Sequence, residues 1–380
     1  MTVVPPPHVC RSVRLRQFRN FAELDLTLPV EGVAIIGDNG SGKTNFIEAL
    51  YYCEIFRSFR GAPDEQLVRF GEPAFHIRAV FQQGARERAV TAAFERAGRR
   101  KRVTVDGVEP ERIGDALGQA GAVVFSPSDV GLIDGPPGGR RRFLDILLSL
   151  HEPGYLTALQ QYRQILRQRN AELRRGGPAA SSLEVWNDAL VRLGARITTL
   201  RVRWVERYRA AFLARTAAIA GGPGIEMVYA TWLPADIDLT SESAVTDEFS
   251  KELRRVAQRE RERGMTLVGP HRDDLRFTLQ NGNRNVDVRE FGSGGQRRTA
   301  AVALRMMEAA TLRAVRGFDP IILLDDVFAE LDPGRAERIL EILEAEERGQ
   351  VVLTAPKASD VMVRAGALPR WRIQAGRIFA

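Results

Sequence analysis

One stretch of eight residues constrains this chain more than any other. Gly37-Asp38-Asn39-Gly40-Ser41-Gly42-Lys43-Thr44 matches the pattern G-x-x-x-x-G-K-S/T. Residues 33–36 before it are an apolar run typical of a strand, and residues 46–56 after it have a helical pattern. In this setting glycines let backbone N–H groups surround a phosphate, the lysine reaches the β- and γ-phosphates, and the threonine hydroxyl can ligate Mg²⁺. The sequence therefore predicts an α/β fold that binds ATP.

A second apolar run predicts a partner for this phosphate loop. Residues 321–324 are Ile-Ile-Leu-Leu, as expected of a parallel strand buried on both faces, and Asp325 and Asp326 follow directly. Open α/β sheets bind ligands at the C-terminal ends of such strands. We therefore expect Asp325 to hold Mg²⁺ together with Thr44, and Asp326 to polarise the attacking water. In isolation the two aspartates would more simply be a strand-ending turn.

A glycine-rich segment further along predicts a second anion site. Ser293, Gly294, Gly295 and Gln296 precede a helix-like run over residues 297–312. A hydroxyl and free N–H groups at a helix start can grip a γ-phosphate presented from elsewhere. The alternative is a flexible glycine-rich loop.

The pattern of apolar residues changes twice along the chain. Strand-like runs occupy residues 9–113 and 265–380, whereas residues 114–264 have a helical pattern, and residues 1–8 form a proline-rich tail that we expect to be flexible. We expect one discontinuous domain with an inserted helical lobe. Within the lobe, residues 156–173 and 183–204 predict a helical hairpin, which is either a short coiled coil or the core of the lobe. The predicted strands are 9–15, 24–28, 33–36, 75–81, 88–94, 102–105, 123–125, 275–279, 286–288, 321–324, 351–353 and 371–378.

Composition excludes several classes of protein. Hydrophobic residues make up 44% of the chain, enough for a core, but no apolar run approaches the roughly 18 residues of a membrane span. Three prolines stand where a signal peptide would have its apolar segment. The two cysteines, Cys10 and Cys53, are too few for a disulfide scaffold. We therefore expect a cytoplasmic protein with reduced thiols and no membrane partner.

The charge balance favours a polyanionic partner. The net charge is +7, and residues 138–215 hold 15 arginines and 6 acidic residues. Such an excess suits binding to the DNA backbone without sequence preference. Two alternatives stand beside this interpretation, since 51 of the 55 basic residues are arginines: a biased composition, and an ordinary solvated helix face.

Several segments together resemble the RecF family, which belongs with the SMC and ABC-type ATPases. The resemblance covers nearly the whole chain from Val9 onward and includes the phosphate loop and the signature-like residues 293–296. The other segments are Phe18-Arg19-Asn20-Phe21, Phe125-Ser126-Pro127-Ser128-Asp129, Arg140-Arg141-Arg142-Phe143-Leu144-Asp145, Gly269-Pro270-His271-Arg272-Asp273-Asp274-Leu275 and Leu324-Asp325-Asp326-Val327-Phe328-Ala329-Glu330-Leu331-Asp332.

The resemblance implies an ABC/SMC-type P-loop ATPase head with an inserted, mainly helical lobe. It implies ATP-driven homodimerisation on single- and double-stranded DNA, in which each ATP lies between one phosphate loop and the partner's signature. The expected role is recombinational repair and replication-fork maintenance: cooperation with RecR and RecO in loading RecA at gaps, SOS induction, and weak DNA-dependent ATP hydrolysis used as a switch. By position, the resemblance assigns ATP binding to residues 37–44, Arg19 and Asn20, a trans contact to residues 293–296, catalysis to Asp326, and dimer communication to the D-loop residues Glu330, Leu331 and Asp332.

The sequence departs from the family pattern at four places. Phe59 stands where the family has a histidine, Gly292 where the ABC signature has leucine, and Gly294 where we expect glutamine. Thr354 occupies the position of the ABC switch histidine, so we expect slow hydrolysis. An SMC-like DNA-organising ATPase is the nearest alternative, although the insert is short for a coiled-coil arm. A transporter ATPase subunit is disfavoured because 250 residues separate Lys43 from Ser293.

Overall fold

The computed structural model describes residues 7–175, 180–281, 284–328, 332–346, 349–361 and 368–379. In chain order the strands are β1 (His8–Phe18), β2 (Phe21–Thr27), β3 (Gly32–Ile36), β4 (Ala74–Gln83), β5 (Arg86–Glu95), β6 (Arg100–Val105), β7 (Ala122–Phe125), β8 (Ile225–Ala230), β9 (Asp274–Asn281), β10 (Arg284–Asp287), β11 (Ile321–Asp325), β12 (Val351–Ala355), β13 (Arg370–Gln374) and β14 (Arg377–Phe379). The helices are α1 (Lys43–Ile55), α2 (Asp64–Leu67), α3 (Gly131–Asp134), α4 (Pro137–His151), α5 (Tyr155–Arg175), α6 (Ala180–Ala220), α7 (Glu242–Arg263), α8 (Val288–Phe291), α9 (Gly294–Arg316) and α10 (Pro333–Glu346).

The chain divides into two compact units, which we call the head and the lobe. The head comprises residues 1–129 and 301–380, and the lobe comprises residues 130–300. The prediction placed the lobe at 114–264. The difference follows from strand pairing, because β7 pairs with β11 in the head, whereas β9 and β10 belong to a sheet with β8 in the lobe.

A six-stranded sheet in the head positions the phosphate loop. Its order is β14-β13-β3-β12-β11-β7, and the neighbours from β13 to β7 run parallel. Strands β11 and β12 are buried at every position, as expected of parallel strands covered on both faces. Because β12 lies between β3 and β11, the carboxyl ends of these three strands meet at one edge of the sheet.

A five-stranded antiparallel sheet completes the head. Its order is β2-β1-β4-β5-β6, and residues along β1 alternate in burial, with Val13 and Leu15 inside and Arg14 and Arg16 exposed. This alternation is typical of a sheet with one face on the core and one in water. The predicted tail was too long by one residue, since β1 begins at the buried His8.

The lobe combines long helices with a small sheet. Helices α5 and α6 pack against each other as a helical hairpin, α7 packs on α6, and β10, β9 and β8 form an antiparallel sheet. Leu190, Ile197 and Trp204 of the predicted apolar seam are buried in α6. Within the described ranges, no helix is long and apolar enough to cross a membrane.

Two details of the predicted secondary structure were wrong. The predicted single strand 371–378 is a hairpin, in which Ala375 (φ 46°) and Gly376 (φ 75°) turn the chain between β13 and β14. Strand β8 was not predicted, because its residues lie inside a region whose overall pattern is helical.

Candidate nucleotide-binding site

The phosphate loop connects β3 to α1 at the carboxyl edge of the six-stranded sheet. Gly40 and Gly42 have φ of 81° and 115°, which side chains rarely adopt. A Cβ on Gly42 would lie 2.4 Å from Asn20 Nδ2, and one on Gly37 would lie 2.4 Å from the Ile373 carbonyl oxygen. The glycines are therefore required both for the curl of the loop and for its close approach to neighbouring backbone.

Lys43 lies inside this loop and is only 4% exposed. Its Nζ donates to the carbonyl oxygens of Gly37 (2.8 Å) and Asp38 (3.3 Å), and it lies 3.8 Å from Asp326 Oδ2. The loop's own carbonyls thus hold the ammonium in place, where it can meet a phosphate.

Thr44 and Asp325, the predicted metal ligands, are in direct contact although 281 residues separate them. Thr44 Oγ1 donates to Asp325 Oδ1 at 2.9 Å, and Thr354 Oγ1 lies 3.0 Å from the same oxygen. Burial raises the pKa of Asp325 to about 6, against the opposing effect of the hydroxyl hydrogen bonds and of Arg60. The sequence-based prediction had no role for Thr354 beyond noting the missing histidine; its only signal was a polar residue in an apolar strand.

Asp326, the predicted base, lies beside Lys43 in a left-handed turn. Its φ is 47°, and its N–H donates to Thr354 Oγ1 at 3.2 Å. Burial raises the pKa of Asp326, and the Lys43 charge partly offsets this shift. A raised pKa brings a carboxylate closer to the range useful in general base catalysis.

Two buried oxygens around the loop test whether the residues fit a nucleotide and a metal. Ser41 Oγ and Asp326 Oδ1 are buried and have no hydrogen-bond partner among the described residues. Such orphaned groups are costly unless a ligand or water satisfies them. Hydroxyl and carboxylate oxygens are the donors that Mg²⁺ prefers, so Thr44 and Asp325 fit that ion. The described ranges contain no cluster of three or more His, Cys, Asp or Glu side chains able to hold a metal by themselves.

Arg19 and Asn20 support the loop from the preceding strand. Asn20 Nδ2 donates to the Ser41 carbonyl at 2.9 Å, and Asn20 Oδ1 accepts from Asn45 Nδ2 at 2.8 Å. Arg19 forms a two-pronged ion pair with Glu48 of α1, at 2.8 and 3.0 Å. The structure therefore brings both predicted nucleotide contacts to the loop and gives them supporting hydrogen bonds.

Glu48 is a supporting residue that the sequence-based prediction missed. Its side chain is fully buried in α1, and it accepts a hydrogen bond from the Ser58 hydroxyl as well as from Arg19. A buried carboxylate needs such partners. An acidic residue inside an otherwise apolar helix was the one signal available.

The signature-like residues of the lobe begin helix α9 with a reciprocal cap. The Ser293 N–H donates to Gln296 Oε1 at 2.8 Å, and the Gln296 N–H donates to Ser293 Oγ at 3.2 Å. This is the capping-box arrangement, which fixes the helix start and leaves Ser293 and Gly294 exposed. Gly292 is required where the ABC signature has leucine, because a Cβ there would lie 2.4 Å from the Val288 carbonyl oxygen.

The D-loop prediction is only partly accessible to description. Glu330 and Leu331 lie outside the described residues. Asp332 accepts a hydrogen bond from the Arg335 N–H at 3.0 Å and pairs with that side chain at 3.2 Å. It therefore caps the start of α10.

Several arginines of the basic insert are buried in ion pairs within the lobe. Arg140, 3% exposed, bonds both carboxylate oxygens of Asp274 at 2.8 and 2.9 Å. Arg201 pairs with Asp145 at 2.7 Å, and Arg169 is buried as well. Two segments that carry the family resemblance, 140–145 and 269–275, thus hold each other together and are not a DNA surface.

Another set of arginines remains on the exposed face of α6. Spacings of four, seven and four residues place them on one side of the helix. Arg196 donates to the Pro153 carbonyl and Arg203 to the Thr240 carbonyl, and no printed contact of the set involves a carboxylate. We call this set the α6 stripe; it comprises Arg192, Arg196, Arg203 and Arg207.

Comparison with known proteins agrees over nearly the full chain. The family model for the RecF/RecN/SMC N terminal domain matches residues 9–368. The chain is 36% identical to the DNA replication and repair protein RecF of Synechococcus sp. (strain JA-2-3B'a(2-13)), over 90% of each chain. It is also 36% identical to the RecF protein of Salinibacter ruber, over 92% of this chain and 85% of that one.

Solved structures give the same result for the fold. The structure of the recombination mediator protein RecF-ATP in the RecFOR pathway has a TM-score of 0.89 and 28% identity, and covers 100% of this chain and 99% of that one. The Smc head domain of Pyrococcus furiosus has a TM-score of 0.56 at 14% identity, over 98% of this chain and 95% of that one. The predicted fold class, an ABC/SMC-type ATPase head with an inserted helical lobe, is confirmed.

Proposed function

The chain belongs to the RecF family, and from this premise we propose that it is an ATP-dependent DNA-binding protein of recombinational repair and replication-fork maintenance. ATP drives two copies to dimerise on single- and double-stranded DNA. The dimer then cooperates with RecR and RecO, so that RecA loads at gaps and the SOS response is induced. These partners place its work in the cytoplasm. The contact between Thr44 and Asp325 is the observation that carries the proposal, because it joins the phosphate loop to a metal-binding carboxylate.

The residues around the loop have separate tasks in this proposal. Backbone N–H groups of residues 37–44 and the Lys43 ammonium bind the phosphates, and the nucleotide takes Lys43 from its loop carbonyls. Thr44 and Asp325 hold Mg²⁺, which when bound neutralises charge on the phosphate oxygens. Asp326 accepts a proton from the attacking water. Weak, DNA-dependent hydrolysis then serves as a switch that ends the dimeric state.

The lobe supplies the second half of a composite site. Ser293 and the N–H groups at the start of α9 contact the γ-phosphate of ATP held by the other copy. Glu330, Leu331 and Asp332 communicate between the two sites. The α6 stripe contacts DNA phosphates, since four exposed arginines on one face suit a backbone without base readout.

Substitution of Ser293 tests the composite site. Ser293→Arg places a bulky cation at the exposed start of α9, so we expect ATP binding by the monomer to persist and ATP-dependent dimerisation to be lost. Fluorescent-ATP titration and light scattering with and without ATP measure the two effects. Ser293→Ala is the matched control, because it removes the same capping hydroxyl, about 1 kcal/mol of helix stability, without adding bulk. Normal dimerisation of Ser293→Arg would contradict the proposal.

A further inference from the structure

Thr354 lies on β12, between the strand that leads into the phosphate loop and the strand that ends in the two aspartates. It is paired in register with Asp325 and is 2% exposed. The rest of β12 is Val, Val, Leu and Ala, so the hydroxyl is an isolated polar group in an apolar strand. Leaving such a group unpaired would cost about 1–3 kcal/mol, and its partners therefore matter.

The hydroxyl of Thr354 uses both of its hydrogen-bonding capacities on the two aspartates. Its Oγ1 lies 3.0 Å from Asp325 Oδ1 and 3.2 Å from the Asp326 nitrogen. A hydroxyl has one proton and two lone pairs, so it donates to the carboxylate and accepts from the N–H at the same time. The Leu324 carbonyl oxygen, at 3.4 Å, is a more distant acceptor, and a bond to a carboxylate is stronger.

Two features of the site depend on these bonds. The carboxylate of Asp325 is held between two hydroxyls, those of Thr44 and Thr354, which fixes its rotamer. The backbone of Asp326 is held in a left-handed conformation, φ 47°, which costs a non-glycine residue roughly 1–3 kcal/mol unless its surroundings enforce it. That conformation sets the direction of the Asp326 side chain, whose Oδ2 lies 3.8 Å from Lys43 Nζ.

We propose that Thr354 is a positioning residue of the hydrolytic site, which acts through the side chain of Asp325 and the backbone of Asp326. The proposal rests on the proposed function, since it assigns a role within the same ATP site. It predicts that loss of the hydroxyl impairs Mg²⁺ use and turnover, but leaves the metal-free contacts of the phosphate loop intact. Partners that orient ligands and bases in this way are typically worth about 10- to 100-fold in metal affinity or activity.

Two pairs of variants isolate the hydroxyl from packing. Wild type and Thr354→Val are nearly equal in shape and differ in the hydroxyl, and Thr354→Ser and Thr354→Ala differ in the hydroxyl alone. Each protein is measured for kcat and KM of ATP hydrolysis, for the Mg²⁺ concentration that gives half-maximal binding of fluorescent ATP, and for fluorescent-ATP affinity in EDTA. Because both pairs report on the same group, poor folding of one variant still leaves the comparison within the other pair.

The proposal expects the same difference in both pairs. The hydroxyl-free member should show kcat about tenfold lower or more and a higher Mg²⁺ midpoint, with KM and the affinity in EDTA unchanged. Equal kcat and equal Mg²⁺ midpoints within both pairs would overturn it. So would a loss in Thr354→Ser as large as in Thr354→Val, which would show that packing matters and the hydroxyl does not. Failure of wild type itself to bind ATP would instead contradict the proposed function.

Discussion

Lys43 provides the main positive charge of the phosphate loop. Lys43→Ala removes the charge-assisted contact to the phosphates, so we expect ATP affinity to fall by at least about tenfold, from the ~1.5–3 kcal/mol of such a bond. Fluorescent-ATP titration measures this loss. Lys251→Ala is the control, because Lys251 is an exposed lysine of α7 that pairs only with Glu248 among its printed contacts. Unchanged affinity of Lys43→Ala would remove the assignment of the loop.

Asp326 and Asp325 are adjacent but have different tasks. Asp326→Asn removes the candidate base while leaving the contact of Asp325 with Thr44 in place. We therefore expect ATP binding to persist, turnover to fall by about 100-fold or more, and the dimer to last longer with ATP. Single-turnover hydrolysis and light scattering measure these effects. Hydrolysis at the wild-type rate would place the base on another residue.

His271 makes the stability of the lobe depend on pH. Its Nδ1 accepts from the Tyr162 hydroxyl at 2.7 Å, and burial lowers the pKa of His271 from 6.5 to about 4. Between these pH values the unfolded chain binds a proton that the folded chain does not, so stability present above pH 6.5 is lost as the pH falls towards 4. The full effect is about 3 kcal/mol.

His271→Gln tests this dependence, because glutamine does not titrate. We expect the difference in free energy of unfolding between wild type and variant to change in the variant's favour as the pH is lowered from 7 to 4.5. Urea unfolding at a series of pH values measures it. The raised pKa values of Glu54 and Asp325 act in both proteins and cancel in the difference. Parallel stability curves would contradict the assignment.

Helix α6 and helix α7 belong to the same lobe but differ in charge. Helix α6 has seven arginines and three acidic residues, whereas α7 has six basic and six acidic residues. Arg192→Gln with Arg196→Gln should therefore weaken DNA binding uniformly across sequences and lower the salt dependence of the binding constant by about two phosphate contacts. Arg254→Gln with Arg259→Gln, exposed arginines of α7, is the matched control. Equal salt slopes for the two double variants would exclude the α6 stripe from the DNA interface.

Sequence patterns predicted those parts of the fold that depend on local signals. The apolar runs of β3 and β11 and the glycines of the phosphate loop are local, and they placed the site correctly at the ends of two parallel strands. The pairing of Arg140 with Asp274 joins residues 134 positions apart, and periodicity contains no information about such a contact. The role of Thr354 was invisible for the same reason, since its partners lie on the neighbouring strand. Strand β8 was missed because six residues of alternating pattern are a weak signal within a helical region.

A composite dimer makes a quantitative demand on mixed subunits. Ser293→Arg lacks a working signature and Lys43→Ala lacks a working phosphate loop, so a heterodimer of the two retains at most one complete site. If dimerisation needs two occupied sites, the mixture should stay monomeric with ATP, as each variant does alone. Light scattering of the mixture, with wild type as the positive control, measures this. Full dimerisation of the mixture would show that one site suffices.

Strands β3 and β7 are made before residue 126, yet each lies beside strands that are made after residue 320. During synthesis on the ribosome, both apolar strands therefore emerge without a neighbour, and the nucleotide site between them cannot form. The lobe, in contrast, is continuous over residues 130–300 and can complete its own contacts first. Pairing between distant segments is slow, and unpaired apolar strands are prone to aggregate. The growing chain thus carries a finished lobe on an unfinished ATPase, and it gains the capacity to bind ATP only when its last strands leave the ribosome.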